Sequence, residues 1–353
     1  MNNKKKLYIG ICRGIVIFLT VIAFLAVFLY GVMWILVNGP SPTARRLFVL
    51  SVKETSAGGF LADIYLTEDE INLILNGDGS GILDELTDTS LIQLPDKGGD
   101  SHSAPDQGGV INTPSDTGTE SPTDNPHEGI EVIDVKGSTY NGKLMIINDP
   151  SRVFVGIPGE FGEGKHGLTV AAMIDKYGAV AGTNAGGFDD PNGTGTGGIP
   201  DGIVIYEGEL KWGKLNESYS LAGIDGNGIL HVGNMTGQRA LDAGIQYAAS
   251  YGPALVINGK PAGNSLGGGL NPRTAIGQRS DGAILLLVVN GRSIDSLGAT
   301  LDDLAEIMIS NGAVNASNLD GGSSSIMIMD GEYLTSSAYV FGERVVATAI
   351  LVK

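Results

Sequence analysis

A single cysteine, Cys12, occurs in 353 residues. No intrachain disulfide can form, and zinc sites built from several cysteines are excluded. Histidine is scarce too, with only His102, His127, His166 and His231. No Gly-x-Ser-x-Gly elbow is present. A serine hydrolase would have only His166, in a polar loop, or His231, within an expected strand, as its base. Basic residues are few, 22 Lys and Arg against 39 Asp and Glu, for a net charge of -17. This argues against nucleic acid as a partner, because a phosphate backbone needs a basic face. It leaves room for a small anion held by one or two arginines.

Glycine, by contrast, is abundant at 54 residues, and 42% of the chain is hydrophobic. Many turns, short strands and a sizeable core follow, in a length fit for roughly two domains. One apolar run stands apart: Ile15 to Val37, 23 residues without a charge. At about 1.5 Å per helical residue it spans a bilayer core of about 30 Å. Lys4, Lys5, Lys6 and Arg13 precede it, which predicts a cytoplasmic N-terminus. A cleavable leader would have a shorter apolar region and small residues at its cleavage site. This run ends instead in Asn38-Gly39-Pro40-Ser41-Pro42. The expectation is a single-pass anchor in the cell membrane: residues 1–14 cytoplasmic, 15–37 in the bilayer, the remainder extracytoplasmic.

Residues 38–94 read as a juxtamembrane helical region, with Thr67-Glu68-Asp69-Glu70 as a capping box. Residues 95–127 scatter Pro95, Pro105, Pro114, Pro122 and Pro126 among Gly, Ser, Thr and Asp. Such a stretch cannot bury enough apolar surface to offset its ordering entropy, so a disordered linker is expected. Residues 128–353 carry the globular domain, an α+β fold: a mixed β-sheet domain with a few packed helices. Its apolar runs, among them Val153–Ile157, Ala254–Ile257 and Ala283–Val289, are bounded by Gly, Asn and Asp turns. Asp225-Gly226-Asn227-Gly228 reads as a hairpin turn.

Three helical patterns share a layout. A helix from about Thr169 ends at Gly178, one over roughly 238–251 ends at Gly252, and one from about Thr300 ends at Gly312. Glycine suits the helix C-terminus in each, and an Asn follows six residues later. The units are expected to deliver Asn184, Asn258 and Asn318 to strand ends, and convergence of the three on one site is a hypothesis.

The chemistry concentrates behind the third. Asn318-Leu319-Asp320-Gly321-Gly322-Ser323-Ser324-Ser325 places a carboxylate, two glycines and three hydroxyls on one turn. Glycines admit close approach of backbone N–H groups to a ligand. Asp320 is the leading acid, base or nucleophile, although an Asp that merely braces its turn has the same sequence pattern. Arg273, fixed by Pro272, adds a fork of donors suited to phosphate. Asn184 joins Asp320 and Arg273 as a catalytic candidate. Expected substrate-binding groups are Gly186, Gly187, Asp189 and Asp201 of the glycine-rich loop, Asn258, Asn318, and Gly321, Gly322, Ser323 and Ser324. No cofactor is firmly implied. Asp190, Asn192, Thr194 and Thr196 alternate like calcium-loop ligands, but the sixth-position Gly and the closing Glu are missing. A divalent cation, calcium or magnesium, is left open at Asp190 and Asn192, beside the reading as a substrate-covering loop.

At Asn184-Ala-Gly-Gly-Phe188, Asn271-Pro-Arg-Thr-Ala-Ile-Gly277, Val289-Asn-Gly-Arg292 and Asn318–Ser325, the chain resembles the phosphodiester glycosidase family. The resemblance covers roughly residues 130–353 and rests on the ordered set of motifs. Ser323 stands where many members have a third glycine. The resemblance implies hydrolysis of a sugar-1-phosphodiester, in which an anomeric C–O bond breaks and a phosphomonoester leaves. Arg273 and the Gly/Ser turn would steady the departing phosphate, and Asp320 would activate water or stabilise the anomeric carbon. Expected partners are a sugar-phosphate or an envelope polysaccharide, such as a teichoic-acid or capsule-like polymer, and the lipid bilayer. The alternatives are a non-catalytic glycan-binding or exopolysaccharide assembly protein, and a metal-dependent phosphodiesterase that cuts the P–O bond.

Overall fold

The computed structural model describes residues 3–55, 58–76, 87–94, 127–339 and 342–353. The expected linker therefore lies outside the described residues except for His127. That histidine belongs to the globular part, where its backbone carbonyl accepts from the Ile130 N–H at 3.1 Å.

Two compact units are present, Met1–Gly79 and Ser80–Lys353. In the first, the apolar run is one helix, Asn3–Asn38. Its segment Gly10–Asn38 is long and apolar enough to cross a membrane. Thr20, within it, donates its hydroxyl to the Val16 carbonyl at 2.8 Å, so this polar side chain is satisfied by its own helix. Helices Pro42–Lys53, Phe60–Asp63 and Glu68–Asn76 follow. The capping box forms as expected: the Thr67 N–H donates to Glu70 at 3.0 Å and the Glu70 N–H donates to the Thr67 hydroxyl at 3.4 Å. The expected region 38–94 is divided, however. Residues 87–94 belong to the second unit, with the Gln93 N–H donating to the Ser280 carbonyl at 2.7 Å and the Asp88 N–H to the Asn258 side chain at 2.7 Å.

The second unit is an α+β assembly of three sheets whose described strand pairs are all antiparallel. The first sheet has seven strands in the order Ile130–Lys136, Asn141–Ile147, Ile284–Val289, Arg273–Arg279, Ala313–Leu319, Ala254–Ile257 and Lys260–Pro261. The second runs Glu332–Tyr333, Met327–Met329, Ala181–Asn184, Ala349–Val352, Val153–Gly156. The third runs Glu209–Trp212, Val204–Tyr206, Ile245–Ser250, Ser218–Asp225, Leu230–Thr236.

The strand Ile284–Val289 shows why its sequence is apolar throughout. Ile284, Leu286 and Val288 face a core shared with the other two sheets. Leu285, Leu287 and Val289 face helix Leu301–Ser310, which contributes Leu304, Ala305 and Met308. Side chains alternate across a strand, so a strand covered on both faces reads as a continuous apolar run. That helix starts where Thr300 and Asp303 form a capping box, and it turns its fully buried Leu304 onto the sheet. Burying such a leucine contributes roughly 1.5–3 kcal/mol, and Leu304→Asp would break this contact.

Two of the three expected helices are present, Val170–Tyr177, capped by left-handed Gly178, and Leu301–Ser310. The middle one is shorter than expected. Helix Gly237–Asp242 stops, and Ile245–Ser250 is a strand. The run Ile245-Gln246-Tyr247-Ala248-Ala249-Ser250 alternates well enough for either state. Its pairing with both Val204–Tyr206 and Ser218–Asp225 decides for the strand.

Candidate active site

One strand end from each sheet meets at Asp320. The first sheet supplies Ala313–Leu319, the second Ala181–Asn184 and the third Ile245–Ser250. The Asp320 N–H donates to the Ala185 carbonyl at 2.8 Å, and Asn184 Nδ2 donates to the Asp320 carbonyl at 2.6 Å. The Gly252 N–H donates to the Asn318 carbonyl at 3.1 Å, and Asn318 Nδ2 donates to the Gly252 carbonyl at 2.7 Å. The turn after Leu319 is thereby stapled to both neighbouring sheets. Gly322 lies at φ 61, a left-handed conformation that is inexpensive only for glycine. Its N–H donates to the Pro272 carbonyl at 2.8 Å.

Asp320 is ringed by protein yet keeps a partial opening to solvent. Burial pushes its pKa up to about 7, against the opposing pull of a Ser324 hydrogen bond, the Arg344 charge and the Gly321 N–H; the Asp201 carboxylate adds to the rise. A carboxyl poised near neutrality can donate or accept a proton with little penalty. Asp201 is itself raised, first by burial and then by the charges of Asp189 and Asp190. The site therefore offers two carboxyl groups with different environments, an arrangement suited to acid–base work on a glycosidic bond.

The cation beside Asp320 is Arg344. Its guanidinium pairs with Asp190, donates through Nη1 to Ser323 Oγ at 3.0 Å, and lies 4.8 Å from the Phe188 ring centre. A second guanidinium, that of Arg292, lies over Gly322; a Cβ there would sit 3.2 Å from Arg292 Nη2. The same nitrogen donates to Asn271 Oδ1 at 3.2 Å.

These placements revise several sequence-based roles. Asn184 is fully buried, and its Oδ1 accepts from Thr274 Oγ1 at 2.8 Å and the Ile326 N–H at 3.3 Å. With Nδ2 on Asp320, the amide is consumed by the protein, so Asn184 positions the turn and cannot touch substrate. Arg273 is also buried, with Nε donating to the Ala299 carbonyl at 3.2 Å and Nη2 to the Gly269 carbonyl at 2.8 Å. Strand alternation accounts for this. Thr274 turns toward Asn184, so Arg273 turns to the opposite face and braces the loop there.

Gly186 and Gly187 commit their N–H groups to the Thr348 hydroxyl at 2.9 Å and the Ser250 carbonyl at 3.1 Å. Neither N–H is left to bind substrate. What they provide is space, since a Cβ on Gly187 would lie 2.7 Å from Asp201 Oδ2 and 2.8 Å from the Tyr251 ring. Asn258 is remote from the site. Its strand Ala254–Ile257 runs antiparallel to Ala313–Leu319, which carries its end to Asn315, whose Oδ1 accepts from the Asn258 N–H at 3.1 Å. Two of the three units thus converge, and the place of the third is taken by Ser250–Gly252.

Gly321 and Ser324 contact Asp320, with the Gly321 N–H on Asp320 Oδ1 at 2.9 Å and Ser324 bonded to the carboxyl, and Gly322 and Ser323 lie between them in the turn. Asp189 is exposed at the rim. Asp190 Oδ1 accepts from the Gly195 N–H at 2.7 Å as well as from Arg344, so a metal ion there would compete with two donors already in place. Asn192 lies in the turn Pro191–Gly193. Arg344 and Tyr251 escaped the sequence reading. Arg344 stands without a motif before Val345, and Tyr251 lay at the end of the expected helix.

A family model described as phosphodiester glycosidase matches residues 177–353, just over half of the chain. The SPbeta prophage-derived uncharacterized protein YomE of Bacillus subtilis (strain 168) is 33% identical over 187 residues. That match covers 48% of this chain, and the chain spans only 27% of that protein's length. Among solved structures, the zebrafish N-acetylglucosamine-1-phosphodiester alpha-N-acetylglucosaminidase catalytic domain, auto-inhibited by its pro-peptide, aligns with a TM-score of 0.53 at 22% identity. The alignment covers 63% of this chain and 81% of that one, and shows a shared fold.

Proposed function

Because the chain belongs to the phosphodiester glycosidase family, we propose that it hydrolyses a sugar-1-phosphodiester outside the cytoplasm, tethered to a membrane by residues 15–37. The observation that carries this reading is Asp320: a carboxyl near neutral pKa, on a Gly-Gly turn, beside Arg344 and a second carboxyl, Asp201. Water attacks the anomeric carbon, the C1–O bond breaks, and its electron pair leaves with the phosphate. As a carboxylate, Asp320 takes the proton from the attacking water. The leaving phosphomonoester is already a good leaving group, so positive charge near its oxygens matters more than a strong acid. Arg344 and Arg292 are the cations assigned to it in this reading. Asp201 faces the carbon that becomes positive.

Support for the substrate class comes from the family and from the zebrafish fold relative, whose name specifies an N-acetylglucosamine-1-phosphodiester. The apolar N-terminal helix supports an extracytoplasmic setting, where an envelope glycan phosphate is the accessible polymer. The test is incubation of the full chain in detergent with a sugar-1-phosphodiester in heavy-oxygen water. Release of reducing sugar carrying the label, abolished in Asp320→Asn, is expected. Label in the phosphate would identify P–O cleavage instead, and retention of the glycan without turnover would identify a binding protein; either result overturns the proposal.

A further inference from the structure

At the Ser250–Gly252 segment that staples the Asn318 strand end opens a cleft of ≈ 390 Å³, lined chiefly by Asp201, Ser218, Tyr219, Ser220, Tyr251 and Gly252. Its volume lies at the small end of the range for small-molecule sites, roughly 300–1,000 Å³. Two glycines keep it open. A Cβ on Gly202, at φ +67, would lie 2.5 Å from Ser250 Oγ, and one on Gly252, at φ +122, would lie 2.1 Å from Ser220 Oγ. The cleft adjoins the proposed catalytic turn, since its lining residue Gly252 is doubly bonded to Asn318 and the charge of Asp201 acts on Asp320.

Its lining is that of a carbohydrate site. Tyr251 is 39% exposed, although one edge of its ring packs on Gly187. The Tyr219 hydroxyl donates to Glu217 at 3.0 Å and accepts from the Lys214 N–H at 2.9 Å, which fixes that ring in advance. Rings held before binding lose little freedom when a ligand arrives. An amphipathic ring suits the C–H face of a pyranose, while Asp201, Ser218 and Ser220 suit its hydroxyls. Charge then selects which end of a glycosyl phosphate enters. Asp189 adds its charge to that of Asp201, while Asp190 is paired with Arg344, so a phosphate is repelled from this side. Away from these carboxylates, Arg292 lies over Gly322.

We infer that the cleft between Tyr251 and Tyr219 seats the sugar ring of the substrate, with the phosphate directed to the Arg292–Gly322 edge, an assignment that rests on the hydrolase reading above. Two obstructing variants test it, Tyr251→Ala, which removes the stacking ring, and Ser218→Trp, which fills the cleft from its exposed end. Sugar binding is read by saturation-transfer NMR on the full chain in detergent, with N-acetylglucosamine, glucose, galactose and mannose as free probes. Inorganic phosphate binding is read by phosphorus line broadening. At least one sugar should receive transfer from the unaltered chain, falling at least fivefold in both variants, with phosphate broadening unchanged. Arg292→Ala should show the reverse. On a hydrolysed sugar-1-phosphodiester, Tyr251→Ala should raise KM at least tenfold and change kcat less. Transfer that survives in both variants, or transfer to none of the four sugars, overturns the assignment. Sugar binding in Asp320→Asn without turnover by the unaltered chain would sink the hydrolase reading and leave the cleft as a glycan site.

Discussion

Asp320→Asn should abolish turnover and yet make the globular unit more stable at neutral and alkaline pH. The folded carboxyl holds its proton up to about 7, against 3.8 for an ordinary Asp. A folded pKa above the unfolded one means that the native state resists ionisation. Stability is therefore undiminished below about pH 4, declines as pH rises toward about 7, and stays at the lower level above it. At roughly 1.4 kcal/mol for each tenfold change in proton affinity, the upper bound on the loss is roughly 4 kcal/mol. Asparagine removes the charge but keeps the bonding pattern: Oδ1 accepts from the Gly321 N–H, and Nδ2 can donate to Ser324. The partial opening of the site to solvent lowers the expected gain to roughly 2 kcal/mol at pH 8, or about 4–8 °C in Tm. Urea unfolding of both proteins between pH 4 and 8 measures it. The difference should vanish near pH 4 and grow to a plateau above pH 7. A variant no more stable than the parent at pH 8, or a gain independent of pH, would refute the placement of a strained carboxyl at this turn.

Three further outcomes follow from the same geometry. Arg344→Ala should lower kcat/KM by roughly 10²–10³ and move the limb of the pH–rate profile governed by Asp320 upward, because the charge that opposes burial is gone; an unmoved limb would detach Arg344 from Asp320. Asn184→Ala leaves the Asp320 carbonyl and the Ile326 N–H without their buried partner, while Thr274 keeps only Ser325, so urea unfolding should show a loss of at least about 2 kcal/mol. Asp225→Asn should destabilise by about 1 kcal/mol at pH 7: burial alone would raise this carboxyl, but its bonds to His231 and to the Ile229 and Asn227 N–H groups outweigh burial and hold it below its usual range. That contribution is present above pH 4 and lost as pH falls through the depressed value, so the two proteins should converge in stability in strong acid.

Local patterns were legible where one physical requirement dominated. Ala254–Ile257 and Ile284–Val289 are strands because their apolar runs have partners on every side, and Thr169 and Thr300 cap helices because their hydroxyls reach the third N–H. The place of Asp320 at a strand end was legible because an apolar strand runs straight into Gly-Gly. Direction was not legible. The unit ending at Asn258 has the same local grammar as those ending at Asn184 and Asn318, and only antiparallel pairing to Ala313–Leu319 sends it away. The face on which Arg273 emerges depends on register with Leu319, a nonlocal fact. Arg344 and Tyr251 carry no local mark because their chemistry comes from neighbours distant in sequence, Asp190 and Phe188 for Arg344 and Gly187 for Tyr251.

The staple between Asn184 and Asp320 joins residues 136 positions apart. The strand bearing Asn184 is itself paired along one edge with Ala349–Val352, which also pairs with Val153–Gly156. A chain still on the ribosome, made only as far as the Gly-Gly turn, would hold every proposed acidic group and still lack Arg344 and the strand that supports Asn184. Turnover, on the proposed reading, would thus wait until Ala349–Val352 has joined the second sheet. The onset of activity during translation could serve as a clock for completion of the second sheet.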